Sequence, residues 1–401
     1  MNIIVQKYGG SSVGDLDRIK NVAKRVKERK DSGAKLVVVV SAMGNTTDEL
    51  ISTAYGLSSN PRPRELDVLM STGEQISIAL LSIALNDIGC RARSFTGHQI
   101  ELITEGFHTK SKIADINTSV ILKELEKDNV VIVAGFQGIN TNNEITTLGR
   151  GGSDTTAVAL AAKLGAVCEI YTDVDGIYTI DPGLYPDARK LESISYQEMM
   201  EMASLGAAVM HPRSIEIAYN YSVPIYVAKN TGESPGTYIK ESDETMEKTV
   251  ITGLAVDNND AMITVNDFPC DIDSISKLFS GLAEKHINID MISQTTPVKE
   301  RLSISFTIPR NDLDDALESL KKLEQRIGPF NAETDTNITK LSVVGMGMRT
   351  QSGVAARMFS VLAENDINIK IITTSEIRIS CTIDPKDQNK AVAAIAREFQ
   401  L

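Results

Sequence analysis

Short apolar runs alternate with segments of helical periodicity over the first 240 residues. The runs 3–5, 36–40 and 130–136 are continuously apolar, as expected for strands that are buried on both faces of a sheet. Between the first two runs, apolar side chains recur every three or four positions, which predicts a helix over residues 16–30. The same reasoning predicts further elements: helices over 74–88 and 155–164 and a strand over 168–172. The alternation indicates an α/β domain whose sheet is at least partly parallel.

Residues 250–401 contain an internal repeat. Residues 278–294 match residues 358–374 at nine of 17 positions, and residues 304–308 match residues 379–383 in the same order. Each copy is predicted to form a small β-α-β-β-α-β sandwich, a ferredoxin-like α+β fold. Two interpretations stay open: a duplicated dimerisation domain, or a ligand sensor formed between two modules.

The boundaries follow from breaks in these patterns. The segment 230–236 interrupts the alternation, and the polar segment 240–248 is typical of a linker. The predicted domains are a first domain over 1–245, a first module over 263–335, and a second module made of 250–262 plus 338–401.

Composition narrows the function. The chain has 401 residues, a formal net charge of -12 and no basic tract, which argues against nucleic-acid binding. We find no signal-peptide core and no apolar run of the length of a membrane span, so we expect a cytoplasmic protein that does not bind membranes. The four cysteines and four histidines lack metal-ligand spacing, so neither a zinc site nor a disulfide framework is expected.

The most informative segment is Gly149–Asp154, which lies between an apolar strand and an Ala-rich helix. Glycines allow the backbone to approach a ligand closely, and the start of the helix offers unpaired N–H groups to an anion. Arg150 adds a planar donor fork that suits a carboxylate or a phosphate. The segment therefore predicts a site for an anionic metabolite.

Other polar motifs follow predicted strands or begin predicted helices. They are Lys7–Ser12, Ser41–Thr47, Ser71–Gln75 and Thr172–Pro182. Ligands of parallel sheets collect beyond the carboxyl ends of the strands, so the turns at these ends are expected to share one site. A lysine, an arginine, several hydroxyls and three acidic groups at such a site suit phosphoryl transfer to an amino acid with a carboxylate side chain.

Each motif alone also has a simpler explanation. Lys7 is then a solvated strand-end lysine, the hydroxyls of 41–47 cap the next helix, and Glu74 is a capping partner at a helix start. Asp154 either caps the helix at 155, orients Lys7 or helps to organise magnesium. Neither a Walker A motif nor a G-x-G-x-x-G motif is present.

The motifs together resemble the aspartokinase family, an amino-acid kinase domain followed by two ACT domains. The resemblance covers essentially the whole length. The segments that carry it are Lys7–Val13, Ser41–Gly44, Ser71–Glu74, Gly149–Asp154 and Thr172–Tyr178. It implies an amino-acid-kinase-type three-layer αβα domain with a mostly parallel central sheet, followed by two ferredoxin-like domains.

The resemblance also implies a reaction. ATP and L-aspartate would give 4-phospho-L-aspartate and ADP, the first step toward lysine, threonine and methionine, with feedback control through the ACT domains. Mg²⁺ would be bound mainly through ATP, with no protein ligand assigned.

The resemblance assigns roles to individual residues. Those implied to be catalytic are Lys7, Asp154 and Ser41. Those implied to bind nucleotide are Lys7, Tyr8, Gly9, Gly10, Ser41, Thr172, Asp173, Tyr178 and Asp181. Those implied to bind aspartate are Thr47, Glu74, Arg150, Gly151, Gly152 and Ser153, with Glu74 on the ammonium and Arg150 on the α-carboxylate.

Two positions depart from the family pattern in the catalytic domain. Gly183 and Ala208 stand where many members carry arginine and lysine. We expect weaker or differently arranged ATP binding, with Arg189, Lys190 or Lys229 compensating.

The regulatory residues lie in the repeat. They are implied to be Cys270, Asp271, Asp273, Gln294, Asn368, Ile369, Thr374, Ser375 and Glu376. The family's usual Pro-Gly before the first helix is absent, so Asp271 and Asp273 either favour a cationic effector such as lysine or only reshape the loop. The effector is expected to be lysine, threonine or both.

Two partner predictions complete the assignment. A homo-oligomer through the ACT domains is expected. Met246 is either an internal start that yields a separate small regulatory subunit or an ordinary linker residue. Two rival functions stay open: a kinase for another carboxylate such as glutamate, and a non-catalytic amino-acid-binding regulator.

Overall fold

The computed structural model describes residues 2–206, 209–232, 234–241 and 250–401. These form two compact units. Of the described residues, the first unit holds 2–177, 190–204, 209–232 and 234–241, and the second holds 178–189, 205–206 and 250–401. The boundary near 245 stays a prediction, because it falls among residues that are not described, as do Ala208 and Met246.

The first unit alternates strands and helices as predicted. Its strands are β1 Ile3–Tyr8, β2 Lys35–Val40, β3 Ala92–Phe95, β4 Leu102–Glu105, β5 Lys112–Ile116, β6 Val130–Ala134, β7 Gln137–Ile139, β8 Ile145–Thr147, β9 Val167–Thr172, β10 Ser193–Ser195, β11 Ile225–Lys229 and β12 Thr237–Lys240. Its helices are α1 Leu16–Asp31, α2 Thr46–Leu57, α3 Pro63–Asp87, α4 Ser119–Glu126, α5 Gly152–Leu164, α6 Tyr196–Ser204 and α7 Pro212–Asn220.

The main sheet has the order β10-β12-β11-β9-β1-β2-β6-β3. The strands from β11 to β3 run parallel, and β12 is antiparallel to β11. Strands β2 and β6 are apolar and buried, apart from Lys35 at the start of β2, because both faces of the sheet are covered by helices. The prediction of an α/β fold with a mostly parallel central sheet is therefore confirmed.

Alternate residues of β1 face opposite layers. Ile4 and Tyr8 pack into a core that includes apolar side chains of α1 and α3, whereas α5 packs on β1, β2 and β9. Full burial of one such aliphatic side chain stabilises the fold by about 1.5–3 kcal/mol. Lys7 lies on the side of α5, and this places its ammonium beside the start of that helix.

A second sheet of the first unit, in the order β5-β4-β7-β8, was not predicted from the sequence. Its strands are three to five residues long. β5, for example, mixes polar and apolar residues and is largely exposed, so it lacks the apolar run on which the prediction depends. β8 ends at Thr147, two residues before the Gly149–Asp154 segment.

Helix α3 is longer than predicted. It begins at Pro63 rather than at residue 74, so Glu74 lies in its middle and not at a helix start. Position 73 of this helix requires a glycine, because a Cβ there would lie 2.8 Å from the Cβ of Ala42. By length and composition α3 could cross a membrane, which is weak evidence, since buried core helices have the same properties. It packs on α1 and on strands of the main sheet.

The second unit contains two four-stranded sheets. Its strands are β13 Gly253–Asp257, β14 Asp260–Pro269, β15 Ile292–Gln294, β16 Arg301–Pro309, β17 Asn331–Asp335, β18 Thr339–Val344, β19 Ile371–Thr374 and β20 Arg378–Ile383. Its helices are α8 Ile272–Glu284, α9 Leu313–Ile327, α10 Val354–Glu364 and α11 Gln388–Phe399.

The two sheets correspond to the sequence repeat. The first module has the strand order β15-β16-β14-β17, and the second has β19-β20-β18-β13. The position of β17 in the first module is taken in the second by β13, which precedes both modules along the chain. Each module has its own apolar core, and the predicted pair of ferredoxin-like folds is confirmed.

A buried ionic cluster joins the two modules. The ammonium of Lys340 in β18 lies 2.7 Å from the carboxylate of Asp260, 2.8 Å from that of Asp290 and 3.6 Å from that of Asp257. Arg378 lies 3.3 Å from the other oxygen of Asp290. Burial acts against ionisation of Asp290, but Lys340 and Arg378 outweigh it and lower its pKa. Every charge of this cluster therefore has an opposite charge beside it.

Candidate active site

An ion pair lies at the carboxyl end of β1. The ammonium of Lys7 is 2.7 Å from a carboxylate oxygen of Asp154, in the first turn of α5, and both side chains are largely buried, at 12% and 13% exposed. Asp154 does not cap the helix at 155, since α5 begins at Gly152. The carboxylate fixes the ammonium at the end of the strand, where a second anion could approach it.

Two backbone turns pack together beside this pair. The N–H of Gly44 donates to the carbonyl of Gly10 at 3.1 Å, and a Cβ on Gly10 would lie 2.8 Å from the carbonyl oxygen of Ala42. Gly10 therefore has no room for a side chain. Ser41 follows β2 and is partly exposed, and Thr47 lies in the first turn of α2. The structure thus brings the Gly9–Gly10 and Ser41–Thr47 motifs to one rim.

Glu74 reaches the same rim from α3. One carboxylate oxygen accepts a hydrogen bond from the N–H of Ala42 at 3.0 Å, while the other is buried and has no partner among the described residues. Burial raises the pKa of Glu74 to about 7, although the backbone hydrogen bonds act in the opposite direction. An unpartnered buried carboxylate is costly, so this oxygen is suited to a cationic group of a ligand.

The Gly149–Asp154 segment forms a tight loop. Gly149 and Gly151 have φ of 77° and 70°, which glycine tolerates best, and the side chain of His211 fills the space where a Cβ of Gly151 would stand. Ser153 is buried against Gly135 at the end of β6. Arg150 is exposed and makes no hydrogen bond or ion pair with any described residue, so its guanidinium is free for a ligand.

The predicted nucleotide residues are only partly brought together. Thr172 ends β9, next to β1, and its hydroxyl donates to Asp173 at 2.9 Å. An open cavity of about 620 Å³ is lined by residues that include Ser11, Ser12, Asp173 and Lys229. The site therefore has a polar cavity beside the turn that follows β1.

Three residues that were predicted to bind nucleotide lie in other surroundings. The side chain of Tyr8 is fully buried in the core and stacks on Tyr171 at 5.0 Å, so only its backbone reaches the strand end. Tyr178 and Asp181 belong to the second unit, where a carboxylate oxygen of Asp181 accepts a hydrogen bond from the N–H of Gly183. Their roles toward nucleotide stay predictions.

Sequence reasoning missed the residues that support this rim. Asp67 of α3 is fully buried and binds both the segment 108–109 and Thr147, and Arg213 donates to the carbonyl of Leu148. The available signal was the position of Asp67 seven residues before Glu74, which places both carboxylates on the same face of α3.

No metal cage is formed by the protein in the described part of the chain. It contains no group of three or more histidine, cysteine, aspartate or glutamate side chains that could hold a metal ion. Asp154 is engaged with Lys7. A metal ion at this site would therefore need most of its ligands from a bound substrate.

The predicted regulatory carboxylates have local partners. Asp271 caps α8 by accepting a hydrogen bond from the N–H of Ser274 at 2.8 Å, and such backbone donation lowers its pKa. Asp273 pairs with Lys277 one turn later at 2.5 Å. These contacts favour the interpretation that both carboxylates shape the loop.

The remaining regulatory candidates are distributed over the two modules. They are Cys270 at the end of β14, Gln294 at the end of β15, Asn368 and Ile369 before β19, Thr374 at its end, and Ser375 and Glu376 in the following turn. Glu376 pairs with Arg349 at 3.2 Å. Their role in effector binding stays a prediction.

Comparison with known proteins gives two family matches. Residues 2–229 match the amino acid kinase family, and residues 273–323 and 341–399 match the ACT domain. The chain is 46% identical over 402 residues to Aspartokinase 2 of Bacillus subtilis, covering 100% of this chain and 98% of the relative. It is 47% identical over 404 residues to Aspartokinase of Pseudomonas aeruginosa, with the same coverage of both.

Solved structures show a similar fold. E. coli aspartokinase III in complex with aspartate and ADP superposes with a TM-score of 0.82 at 24% identity, covering 100% of both chains. Aspartate kinase from Synechocystis gives a TM-score of 0.55 at 40% identity, covering 100% of this chain and 69% of the other.

Proposed function

This chain belongs to the aspartokinase family, and we propose that it transfers the γ-phosphoryl group of ATP to the side-chain carboxylate of L-aspartate. The products are 4-phospho-L-aspartate and ADP. The enzyme opens the route to lysine, threonine and methionine in the cytoplasm and is feedback-controlled through its ACT domains.

One observation carries the proposal: in the first unit, Glu74 and Arg150 keep charged groups of opposite sign without partners among the described residues. The free oxygen of Glu74 suits an ammonium group, and the exposed guanidinium of Arg150 suits a carboxylate. An α-amino acid presents both groups on one carbon atom. In the proposal, Thr47, Gly151, Gly152 and Ser153 line the rest of the amino-acid pocket.

The Lys7 end of β1 would receive the nucleotide. The backbone of Gly9 and Gly10 approaches the phosphates, Lys7 neutralises the transferred group, and Ser41 lies beside the transfer point. Thr172, Asp173, Tyr178 and Asp181 would border the nucleotide. The polar cavity beside Ser11 and Ser12 supports a polar ligand at this end of the sheet.

Mg²⁺ would enter bound to ATP. The described residues supply no cluster of metal ligands, and Asp154, already paired with Lys7, would be the carboxylate at the transfer point. When bound, the ion neutralises phosphate charge. Asp154 would help to organise it and would hold the ammonium of Lys7.

The chemistry requires no general base, because the side-chain carboxylate of aspartate is already ionised near neutral pH. A carboxylate oxygen attacks the γ-phosphorus, a new P–O bond forms, and the bond to the bridging oxygen of ADP breaks. ADP keeps the electron pair and no proton moves. Catalysis therefore depends on alignment and on neutralisation of charge by Lys7 and neighbouring N–H donors.

Nucleotide affinity has a separate test. Gly183 lies in a turn closed by Asp181, and Ala208 lies outside the described residues. If the missing cations weaken ATP binding, Gly183→Arg or Ala208→Lys lowers the KM for ATP. If neither variant lowers this KM, the residues Gly183 and Ala208 do not weaken ATP binding.

Regulation and assembly belong to the same proposal. Lysine, threonine or both would bind at the ACT modules and inhibit the enzyme, and ACT strands of two copies would pair in a homo-oligomer. A small regulatory subunit from an internal start at Met246 stays part of the proposal. A single band from expression of the intact gene would contradict that start.

A coupled assay of ADP release tests the function. The full-length protein with ATP and Mg²⁺ is expected to release ADP when aspartate is present and far less with glutamate or without an acceptor. Arg150→Ala serves as the site control and should raise the KM for aspartate. Addition of lysine or threonine should lower the rate. Preference for glutamate, or no acceptor-dependent release, would favour the rival kinase or the non-catalytic regulator.

A further inference from the structure

The carboxylate of Asp67 is the centre of a buried polar network next to the proposed site. One oxygen accepts from the hydroxyl of Thr147 at 2.6 Å, and the other lies 2.6 Å from Nδ1 of His108. The N–H of Thr109 donates to both oxygens, at 3.0 and 3.1 Å. The side chain of Asp67 has no exposed surface. A buried carboxylate is tolerated only when it is bonded in this way.

This network connects the elements that carry the two proposed amino-acid-binding charges. Asp67 precedes Glu74 by seven residues, two turns of α3, so both side chains lie on one face of the helix. Thr147 ends β8, three residues before Arg150. The carboxylate of Asp67 therefore connects helix α3, which carries Glu74, to strand β8, which leads to Arg150.

Three further contacts hold the same elements. The guanidinium of Arg213 donates to the carbonyls of Leu148 and Ser111, both at 2.8 Å. The side-chain amide of Gln137 in β7 donates to the carbonyl of Ser71 in α3 at 2.8 Å. The loop that leads to Arg150 is thus held from both sides, and the link from β8 itself to α3 runs through the hydroxyl of Thr147.

We propose that Asp67, acting through Thr147, is a positioning residue that fixes the Gly149–Asp154 loop relative to Glu74 and so sets the length of the amino acid that the enzyme accepts. The inference rests on the proposed function. Arg150 lies in this segment, and Asp154 follows it in the first turn of α5, so the placement of the segment sets both the contact with the α-carboxylate and the distance from there to Lys7. One extra methylene in the substrate changes that distance, and a misplacement of about 1 Å can cost about 100-fold in rate.

The test compares Thr147→Val with Thr147→Ser. Valine keeps the shape of the side chain and removes the hydroxyl bonded to Asp67, whereas serine keeps the hydroxyl. We expect Thr147→Val to raise the KM for aspartate about tenfold or more, to leave the KM for ATP within about twofold, and to lower the kcat/KM preference for aspartate over glutamate. Thr147→Ser should remain within about twofold of wild type in all three. Asp67→Asn should follow the valine variant.

Glu124 provides a matched control. It is a buried carboxylate of α4 that is bonded by Arg93, Lys127 and Asn129, and it belongs to no part of the proposed site. Glu124→Gln should reduce the melting temperature without changing either KM. A purely structural role for Asp67 predicts the same pattern for Thr147→Val and Asp67→Asn, and that result would overturn the inference.

Calorimetric titration of the wild-type protein with aspartate distinguishes failure of the positioning role from failure of the proposed function. Binding and turnover by wild type together with control-like behaviour of the Thr147 and Asp67 variants rejects the positioning role alone. Absence of aspartate binding by wild type rejects the proposed function, and the positioning role with it.

Discussion

Lys340 and Lys7 are both largely buried, and their surroundings differ. Lys340 is 3% exposed and has three carboxylates within 4 Å, one of them shared with Arg378. Lys7 is 12% exposed and pairs with one carboxylate, and the nearby Glu74 and Arg150 keep groups without a partner in the described residues. Unpaired buried charge lowers stability, so it is retained where a ligand completes it. The closed cluster is a structural feature, and the open one is where we expect a ligand to bind.

The largest expected effect comes from breaking the closed cluster. Lys340→Ala leaves buried carboxylates without their cation and should lower the free energy of unfolding by about 3–5 kcal/mol. Urea denaturation measures this. Lys370→Ala, in the same unit, removes a lysine that is 27% exposed and lies 2.7 Å from Asp335, and should cost less than about 1 kcal/mol. Equal losses for the two variants would show that the Lys340 cluster is not a structural anchor.

Breaking the open pair should affect catalysis. Lys7→Ala is expected to lower kcat by about 10²–10³, the scale of losing one charged transition-state donor. Lys30→Ala is the control: this side chain of the same unit is 16% exposed and pairs with Asp128 at 3.1 Å. Steady-state kinetics decide the matter, and an unchanged kcat with only a raised KM removes Lys7 from the catalytic residues.

The unpartnered oxygen of Glu74 predicts a pH dependence. Burial raises its pKa to about 7, so acidification neutralises the group that would bind the ammonium. The KM for aspartate should therefore rise about tenfold between about pH 8 and pH 6, while the KM for ATP stays constant. Glu74→Gln should have a high KM for aspartate that does not vary with pH. A wild-type KM that is flat over this range contradicts the assignment.

Protonation of Glu74 also affects the stability of the folded protein, in a direction that follows from its pKa. Its pKa is higher in the folded protein than in the unfolded chain, so its protonated form contributes stability that is fully present below about pH 4.5 and is lost as the pH rises through about 7. Saturating aspartate should reduce that loss, because its ammonium favours the ionised form. Thermal melts of wild type and Glu74→Gln over this range measure the difference.

The smallest expected effect concerns Asp271. Asp271→Ala removes the cap of α8 and should lower the melting temperature by about 2 °C or less, and Asp271→Ser should restore most of it, since serine also caps helices. If the carboxylate only shapes the loop, inhibition by lysine is the same in wild type and Asp271→Ser. Loss of lysine inhibition in the serine variant would instead assign Asp271 to the effector.

The fold of the first unit was predictable where burial is complete. The runs that became β1, β2 and β6 are apolar at nearly every position, because helices cover both faces of that sheet. The sheet that contains β4 and β5 was missed because its short strands mix polar and apolar residues. The pattern of apolar residues predicts a strand that is buried on both faces, but it does not predict a strand that is half exposed.

The site was predictable in part for a related reason. Glycines and charged residues at strand ends pointed to Lys7, Arg150 and Asp154 as candidates, but the helix that carries Glu74 was predicted to begin at residue 74 and begins at Pro63. Gly73 within it has a tertiary role, because it allows a close approach to Ala42. Asp67 was missed because the partners of its carboxylate are about 40 and 80 residues away, which no local pattern records.

The position of β13 has a mechanical consequence. Because this strand completes the second module before the first module begins, the first module is inserted into the second and joined to it at both ends. The two connections are short, 258–259 before β14 and 336–338 after β17. Two attachment points define a hinge axis, whereas a single tether would allow a free swivel. These two connections restrict relative rotation of the modules, and the contacts of Lys340 with Asp260 and Asp290 add a further restraint.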